Sequence, residues 1–191
     1  TTEIYTLSLH DALPIYVLVL RPCDAVETAE AWEIALTETA RPSVLVLTRQ
    51  ALPLVRRETG TENLSRKGAY VLAEAQGEAK ATIWATGSEI EIALKARDVL
   101  QAEGTPTRVV SAPSLELFDE MDEKYRASVA GKAKINVAIE AATRQGWDKY
   151  IGADGIFIGM KSFGESAPYD QLYKHFGITA EDAVKAIKAR L

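Results

Sequence analysis

The polar residues with the clearest chemical potential follow the short apolar runs of the sequence. Arg49 comes just after the run VLVL at 44–47, with only Thr48 between. Such runs predict buried parallel strands, and ligands bind beyond the carboxyl ends of those strands. A guanidinium there can hold a phosphate through two parallel N–H bonds, or it can form an ion pair with a nearby carboxylate. The pattern alone leaves both roles open for Arg49.

Three glycine-containing segments are better explained by structure than by chemistry. The turn at 86–89, TGSE, offers backbone N–H groups to an anion at a helix N-terminus, but it lacks the GxGxxG and Walker patterns. We interpret it as a glycine turn followed by a Ser88 cap. The segment at 152–155, GADG, begins like a metal-diphosphate loop, yet no Asn follows to complete the ligands, which favours a surface turn. The loop at 163–168, FGESAP, is interpreted as an interface loop.

Histidine and cysteine give no metal or nucleophile pattern. His175 lies late in a predicted helix, where His is favoured, with no second His or Cys nearby, so we assign it a structural role. His10 lies in an atypical leader and is discounted. Cys23 precedes a helix that could stabilise its thiolate, but a buried filler is the commoner role of a lone cysteine. A single cysteine excludes an internal disulfide framework and a Cys-rich metal site.

The composition is that of an ordinary globular protein. The chain has 191 residues, of which 47% are hydrophobic and 26% charged. A net charge of −5 argues against a nucleic-acid binder. No apolar run approaches the ~20 residues of a membrane span, and the first fifteen residues lack the basic start of a signal peptide. We therefore expect a cytoplasmic protein with no nucleic-acid partner and no membrane partner.

The elements that must position these residues alternate between apolar runs and amphipathic stretches. This alternation predicts an α/β fold with a mainly parallel sheet flanked by helices, preceded by a partial α/β domain. The predicted strands are 16–20, 44–47, 69–73, 81–85, 108–111, 135–140 and 156–160. The predicted helices are 25–38, 88–103, 115–129 and 146–151, and Ser166 and Thr179 are predicted to cap two more.

The first predicted helix has both a start signal and an apolar face. Asp24 is the predicted N-cap, and Glu27 three residues later completes a capping-box pattern. Residues at helical spacing are predicted to form the apolar face of this helix: Val26, Ala29, Trp32 and Leu36.

The chain is predicted to divide near residue 66. Residues 1–15 contain neither Lys nor Arg and are interpreted as an anomalous, non-native leader without a defined fold. Residues 16–51 hold too few elements to close a core and are predicted to end a larger domain. The polar stretch 52–66, with Pro53 and Gly60, is too long for a turn and is a predicted linker. Residues 67–191 form the more complete domain.

Several of these runs together resemble transketolase, the thiamine-diphosphate enzyme of sugar-phosphate metabolism. The matching runs are Arg21-Pro22 with Asp24 before a helix containing Trp32, LTRQAL at 47–52, GAYVL at 68–72, ATGSE at 85–89, VVSAPS at 109–114 and GMKSFGESAP at 159–168. The resemblance extends from Tyr16 to Leu191. The ATGSE run is also similar to related thiamine enzymes, whereas the TRQ and FGESAP runs together are more specific.

The resemblance implies a role for Arg49 and a place for the chain. Arg49 would bind the phosphate of the sugar substrate, residues 16–51 would end the pyrimidine-binding domain, and 67–191 would be the transketolase C-terminal domain, which supports assembly. The whole enzyme, a homodimer of the pentose phosphate pathway, would transfer a two-carbon ketol unit between sugar phosphates. Its cofactors would be thiamine diphosphate and Mg²⁺, whose ligands, like the catalytic residues, are implied to lie upstream of this chain. The chain alone is therefore expected to be inactive.

The N-terminal leader differs from the sequence that the family has at this position. TTEIYTLSLHDALPI, at 1–15, stands where the family has a tract rich in Gly, Asp and His, and it is similar to translated sequencing-adapter sequence. We therefore expect a truncated or chimeric gene.

Two alternative functions remain open. The first alternative to a transketolase fragment is a non-catalytic α/β assembly module. The second is part of a related thiamine-dependent synthase or dehydrogenase E1 subunit.

Overall fold

Two units with parallel strands organise the chain in the computed structural model, which describes residues 16–56, 60 and 62–191. In the first unit, β1 (Leu18–Leu20) and β2 (Ser43–Leu45) pair in parallel, and α1 (Ala25–Thr37) connects them. Both strands are shorter than the sequence predicts, and their carboxyl ends are in register, with Leu20 opposite Leu45. The leader at 1–15, with His10, lies outside the described residues.

The second unit is a five-stranded sheet with the order β3–β5–β4–β6–β7. Its strands are β3 (Tyr70–Ala73), β4 (Ala81–Ala85), β5 (Thr107–Ser111), β6 (Ile135–Glu140) and β7 (Ile156–Gly159). A 3-10 helix (Leu64–Lys67) precedes it, and its α-helices are α2 (Glu89–Ala102), α3 (Leu115–Glu120), α4 (Glu123–Ala130), α5 (Asp148–Ile151), α6 (Tyr169–Phe176) and α7 (Ala180–Lys188). The predicted α/β class with a mainly parallel sheet is confirmed.

The edge strand β3 departs from the parallel pattern, because it pairs antiparallel with β5. The connection from β3 to β4 covers only 74–80 and contains no helix. Parallel strands need a crossover of about a dozen residues or more, so this connection is too short to return the chain to the same end of the sheet. The remaining neighbours, β5–β4, β4–β6 and β6–β7, are all parallel.

Helices cover both faces of the five-stranded sheet because its central strands are apolar on both sides. On β4, Ile83 packs with α2 and α7, whereas Trp84 packs on the opposite face with Phe118 and Trp147. This alternation follows from the two-residue period of a strand. Leu117 of α3 packs instead into the small core of the first unit, so the two units share a helix at their boundary.

The two predicted caps near the C-terminus have different outcomes. Thr179 caps α7, since its Oγ1 accepts a hydrogen bond from the Asp182 backbone N–H at 3.1 Å. The predicted cap at Ser166 is wrong: α6 begins after Pro168, and Ser166 is exposed two residues before it. Pro168 has an extended ψ of 140°, so the helical backbone of α6 begins only after it. Ser166, two residues earlier, therefore lies outside the first turn.

The predicted apolar face of α1 is wrong. Trp32 and Leu36 are 52% and 76% exposed, whereas Glu27 is fully buried and Glu30 is 9% exposed. The short pair β1–β2 offers apolar cover only to a narrow strip of α1 that includes Ala31 and Ile34. The adjoining strip of α1 carries Glu27 and Glu30, and hydrogen-bond donors from later segments of the chain surround these two carboxylates.

Glu27 anchors α1 to the five-stranded sheet. Its Oε1 accepts hydrogen bonds from the Tyr70 hydroxyl at 2.7 Å and the Ser111 hydroxyl at 2.6 Å, while its Oε2 accepts the Cys23 backbone N–H at 2.7 Å. Burial raises the pKa of Glu27, and these donors oppose that rise. The three bonds satisfy a carboxylate that would otherwise be costly to bury.

Asp24 and Glu30 hold the irregular segment between β2 and β3. Asp24 Oδ1 accepts the Glu27 backbone N–H, which confirms the predicted cap, and its Oδ2 accepts the backbone N–H of Arg56 at 3.0 Å. Glu30 Oε2 accepts from the Arg56 guanidinium at 2.7 Å and from the Ser65 hydroxyl at 2.6 Å. The two carboxylates therefore fasten this segment along one side of α1.

A comparison of the two predicted caps tests the assignment of the α7 terminus. Thr179→Ala should lower the free energy of unfolding by about 1 kcal/mol, because the α7 N-terminus loses its side-chain acceptor. Ser166→Ala is the matched control and should change it by less than about 0.5 kcal/mol, since Ser166 is exposed and caps no helix. Urea unfolding of the 191-residue chain measures both values. Equal losses in the two variants would contradict the assignment.

The acid dependence of stability tests the Glu30 anchor. Burial alone would raise the pKa of Glu30, but hydrogen bonds from Arg56 and Ser65 outweigh it and lower that pKa below its ordinary value of 4.5. The stabilisation is then present above pH 4.5 and is lost as the pH falls through the lowered pKa. Glu30→Gln should lower the free energy of unfolding by about 2 kcal/mol at pH 7. That difference from the wild type should shrink at more acidic pH.

Glu33→Gln provides the control on the same helix. Glu33 pairs with Arg66 at 3.3 Å, but both side chains are about half exposed, so its loss should cost less than about 1 kcal/mol. Urea titrations of the three proteins from pH 7 to pH 3 compare them. A Glu30→Gln deficit that stays constant over this range would refute the charge-assisted anchor.

Candidate functional site

Arg49 lies beyond the carboxyl end of β2 and is exposed. It makes no hydrogen bond or ion pair with any of residues 16–56, 60 and 62–191. Of the two roles that the sequence leaves open, an ion pair thus finds no partner in that part of the chain. The phosphate role stays a prediction, with a guanidinium whose donors are available.

The turn that carries Arg49 is held on both sides. Thr48 Oγ1 donates to the Gln50 side-chain oxygen at 2.8 Å and accepts the Gln50 backbone N–H at 3.3 Å. Before the turn, the Val46 backbone N–H donates to the Leu20 carbonyl at 2.8 Å and continues the β1–β2 pairing. The backbone at Arg49 is therefore positioned by its neighbours, while its side chain makes no hydrogen bond or ion pair with the residues that the structure describes.

A second arginine, Arg21, occupies the equivalent place beyond β1. The order in which strands are added to the five-stranded sheet reverses at β4, because β5 lies on one side of β4 and β6 lies on the other. In a parallel α/β sheet, the crevice outside the carboxyl ends of two such strands is the usual ligand position. Arg21 enters this crevice from the first unit and forms an ion pair with Glu140 at the end of β6.

The crevice is lined by acidic and hydrogen-bonding groups that face Arg21. The second oxygen of Glu140 accepts a hydrogen bond from the Trp147 indole N–H. Burial lowers the pKa of Arg21, and the charges of Glu89 and Glu116 oppose that effect. The Tyr173 hydroxyl donates to Glu89 Oε1. The site is thus arranged for a cation, and Arg21 is that cation.

Little space remains beside Arg21. The residual cavity measures about 10 Å³ and is bounded by the ends of β1, β4, β5 and β6, including Val19, Thr86, Ala112 and Glu140. About 10–15 Å³ is the minimum needed for one water molecule. A larger groove of about 460 Å³ lies between α2 and α7, away from Arg49 and Arg21, with Lys95, Val99 and Lys185 among its lining residues.

The turn at 86–89 contacts the backbone of Arg21. Gly87 has a φ of +55°, and its backbone N–H donates to the Arg21 carbonyl at 3.1 Å. Thr86 Oγ1 donates to the same carbonyl at 3.3 Å. The Ser88 hydroxyl donates to Glu89 Oε1 at 2.9 Å and caps no backbone N–H, so the predicted Ser88 cap is wrong. These donors hold a neighbouring backbone, which agrees with a structural role for the turn.

The remaining sequence candidates have structural surroundings. The guanidinium of Arg144 donates to the carbonyls of Gly152, Ala153 and Gly155, which closes the predicted surface turn. His175 lies in the last turn of α6 and contacts the Phe176 ring. Cys23 is buried, and burial raises the pKa of its thiol well above the usual range, which makes it unreactive.

The loop at 163–168 remains without an assigned partner. It lies beyond the carboxyl end of β7, and Phe163 is 96% exposed. Its interpretation as an interface loop stays a prediction.

The described residues contain neither a metal-binding cluster nor a membrane-spanning helix. In 16–56, 60 and 62–191, no group of three or more His, Cys, Asp and Glu side chains is placed to hold a metal ion. The described residues thus show no ready-made cluster of ligands for the Mg²⁺ that accompanies a diphosphate. None of its helices combines the length and the apolar character needed to span a bilayer.

The residues that build the crevice were not predicted from the sequence. Arg21 was named only within a run that resembles transketolase, and Glu140 and Glu89 were given no role of their own. A usable signal was present, because Arg21 follows β1 as Arg49 follows the strand run at 44–47, and Glu140 ends β6. The pairing of Arg21 with Glu140 could not be inferred, since 118 positions separate them and belong to other elements.

Comparison with known proteins places the chain in one family. A family model described as the transketolase-like TK C-terminal domain matches residues 68–179. A transketolase of Cereibacter sphaeroides is 56% identical over 173 residues, which cover 91% of this chain and 26% of that protein. Among solved structures, transketolase from Leishmania mexicana has a TM-score of 0.84 at 37% identity, covering 96% of this chain and 27% of that one.

A further solved structure is a transketolase of Pichia stipitis in complex with sedoheptulose-7-phosphate. It has a TM-score of 0.85 at 33% identity and covers 97% of this chain and 26% of that one. The chain spans about a quarter of the length of the curated relatives it matches. The match of the family model to more than half of the residues, together with these relatives, shows that the chain belongs to the transketolase-like C-terminal domain family.

Proposed function

We propose that this chain is the C-terminal portion of a transketolase, whose whole enzyme transfers a two-carbon ketol unit between sugar phosphates. Within it, residues 16–51 end the pyrimidine-binding domain, 52–66 are the linker and 67–191 are the C-terminal domain. The relatives named transketolase support the activity. The relative solved with a sugar phosphate supports the class of substrate.

Arg49 is the residue to which we assign the substrate phosphate. The supporting observation is an exposed guanidinium without a described partner, on a turn that Thr48 and Gln50 hold in place. A fixed backbone with free donors suits an anion that arrives from solvent, because little ordering remains to be done on binding. Arg49 would bind and align the substrate, which places its carbonyl for reaction without breaking any bond.

The cofactor chemistry is assigned to the rest of the enzyme. Thiamine diphosphate with Mg²⁺ is the cofactor of the family, and when bound it would supply the carbanion chemistry of the transfer. The described part of this chain shows no group of three or more His, Cys, Asp and Glu side chains placed to hold that metal. We therefore propose that the chain alone is inactive, and that the whole enzyme is a cytoplasmic homodimer.

The phosphate role can be tested in an intact transketolase that carries this sequence. Arg49→Ala should reduce kcat/KM for a ketose phosphate by about 10- to 100-fold, the equivalent of a lost charged hydrogen bond. Most of the effect should appear in KM, and kcat/KM for the unphosphorylated ketose should stay within about twofold. Steady-state kinetics with the two substrates measures the difference.

Arg190→Ala is the matched control for that variant. Arg190 is also exposed, but it follows α7, and its guanidinium is 3.4 Å from the carbonyl of Asp154, which lies just before β7. Arg190→Ala removes the same charge and should leave kcat/KM for both substrates unchanged. If Arg49→Ala weakened both substrates to the same extent, Arg49 would lose its proposed role.

Calorimetry distinguishes the fragment from a self-sufficient unit. The 191-residue chain titrated with thiamine diphosphate and Mg²⁺ should give no binding heat beyond dilution, because the described residues supply no metal-binding group. A transketolase of full length, titrated in parallel, is the positive control. A micromolar dissociation constant for the chain alone would show that it carries a cofactor site of its own.

A non-catalytic assembly module is the second candidate function. The supporting observation is the closed crevice, because the place where such a sheet would bind a ligand is filled by Arg21. This candidate predicts that the chain joins other domains and that Arg49 does not bind the substrate phosphate. The kinetic comparison above separates the two.

A further inference from the structure

We propose that Arg21 is a positioning residue for Arg49. Its side chain is held in the crevice of the five-stranded sheet and fixes the carboxyl end of β1, which in turn fixes the turn that carries Arg49. The inference rests on the proposed phosphate role of Arg49. It adds that the second unit determines how precisely that arginine is presented.

The backbone of Arg21 is tied to two strands of the sheet. Its N–H donates to the Pro113 carbonyl, beyond β5, at 2.8 Å. Its carbonyl accepts from Gly87 N–H and from Thr86 Oγ1, beyond β4. The end of β1 therefore abuts the carboxyl edge of the larger sheet at its central strands.

The side chain of Arg21 extends this attachment to β6. Its partner Glu140 is 4% exposed, and the other carboxylate oxygen of Glu140 is engaged by Trp147. A surface ion pair can adopt many geometries, but a buried pair with its remaining oxygen hydrogen-bonded is restricted to one. Arg21 is thereby aligned against three strands of the sheet, while the chain on its N-terminal side is β1.

The path from Arg21 to Arg49 is short. Leu20, next to Arg21, is opposite Leu45, and its carbonyl accepts the backbone N–H of Val46 at 2.8 Å. Val46 is three residues before Arg49, and the last step is the turn held by Thr48 and Gln50. One strand pair thus connects the crevice to the phosphate-binding side chain.

Small displacements at the end of this path would matter for binding. An arginine grips a phosphate through two N–H bonds with a defined geometry, and a shift of about 1 Å is enough to weaken such an arrangement strongly. Loss of Arg21 would also leave Glu140 buried without its cation, so the carboxyl end of β6 would rearrange or admit water. The effect should therefore reach Arg49 although Arg21 touches no substrate.

The test compares Arg21→Met, Glu140→Gln and Arg49→Ala in an intact transketolase that carries this sequence. Methionine keeps the length of the side chain but removes its charge. Arg21→Met and Glu140→Gln should each raise the KM for a ketose phosphate by about 5- to 10-fold, and the KM for the unphosphorylated ketose by less than about twofold. In the double variant Arg21→Met/Arg49→Ala, the KM should equal that of Arg49→Ala alone, because the first residue acts through the second.

Arg108→Met is the matched control. The Arg108 side chain is as buried as that of Arg21, at 16% exposed, and it also pairs with a carboxylate, Glu74. It lies near the start of β5, away from the carboxyl edge. Arg108→Met should lower the melting temperature without changing the ratio of the two KM values.

The outcomes separate the inference from the function on which it rests. If Arg49→Ala is selective for the phosphorylated substrate but Arg21→Met is not, the positioning role is wrong and the phosphate role stands. If Arg49→Ala is not selective, the proposed phosphate role fails. Full additivity in the double variant also overturns the positioning role. If Arg21→Met does not fold, Arg21→Lys and Glu140→Gln provide the same comparison. The KM of Arg21→Lys for the ketose phosphate should then lie between the values of the wild type and Glu140→Gln.

Discussion

A carboxylate can be buried only when nearly every lone pair has a donor, and this requirement shapes the junction between the two units. Glu27 and Glu30 of α1 and Glu140 of β6 are all buried, and each takes its partners from a different segment of the chain. Glu27 binds Tyr70 and Ser111, Glu30 binds Arg56 and Ser65, and Glu140 binds Arg21 and Trp147. Since each carboxylate is satisfied only when the segments meet in one arrangement, these bonds define how the units fit together.

The same requirement explains why the crevice of the five-stranded sheet is closed. An acidic crevice needs a cation, and the chain supplies one from the end of β1. Replacing either member of such a buried pair costs about 3–5 kcal/mol, whereas exposed pairs cost little. The edge of the sheet that binds ligands in many α/β proteins thus serves here to hold a neighbouring unit.

The contrast between Arg21 and Arg49 shows how one residue type takes two roles. Both follow strands of the same parallel pair, but Arg21 pairs with Glu140 in the larger sheet, whereas Arg49 forms no ion pair with any described carboxylate. The first arginine is held by an ion pair, whereas the second has no partner among the described residues. This difference supports our proposal that Arg49 binds the substrate phosphate.

The sequence by itself determined the α/β class, most strand positions, the Asp24 and Thr179 caps and the family resemblance, because these depend on local patterns of a few residues. It predicted the wrong buried face for α1 and the wrong cap at Ser166, and it assigned Arg21 and Glu140 no joint role. Periodicity alone assumes that the apolar face is the buried one, and it cannot register that Tyr70, Ser111 and Arg56 bring donors to Glu27 and Glu30. Only the tertiary structure decided which charged groups meet, because burial makes a charge depend on partners that are distant in the chain.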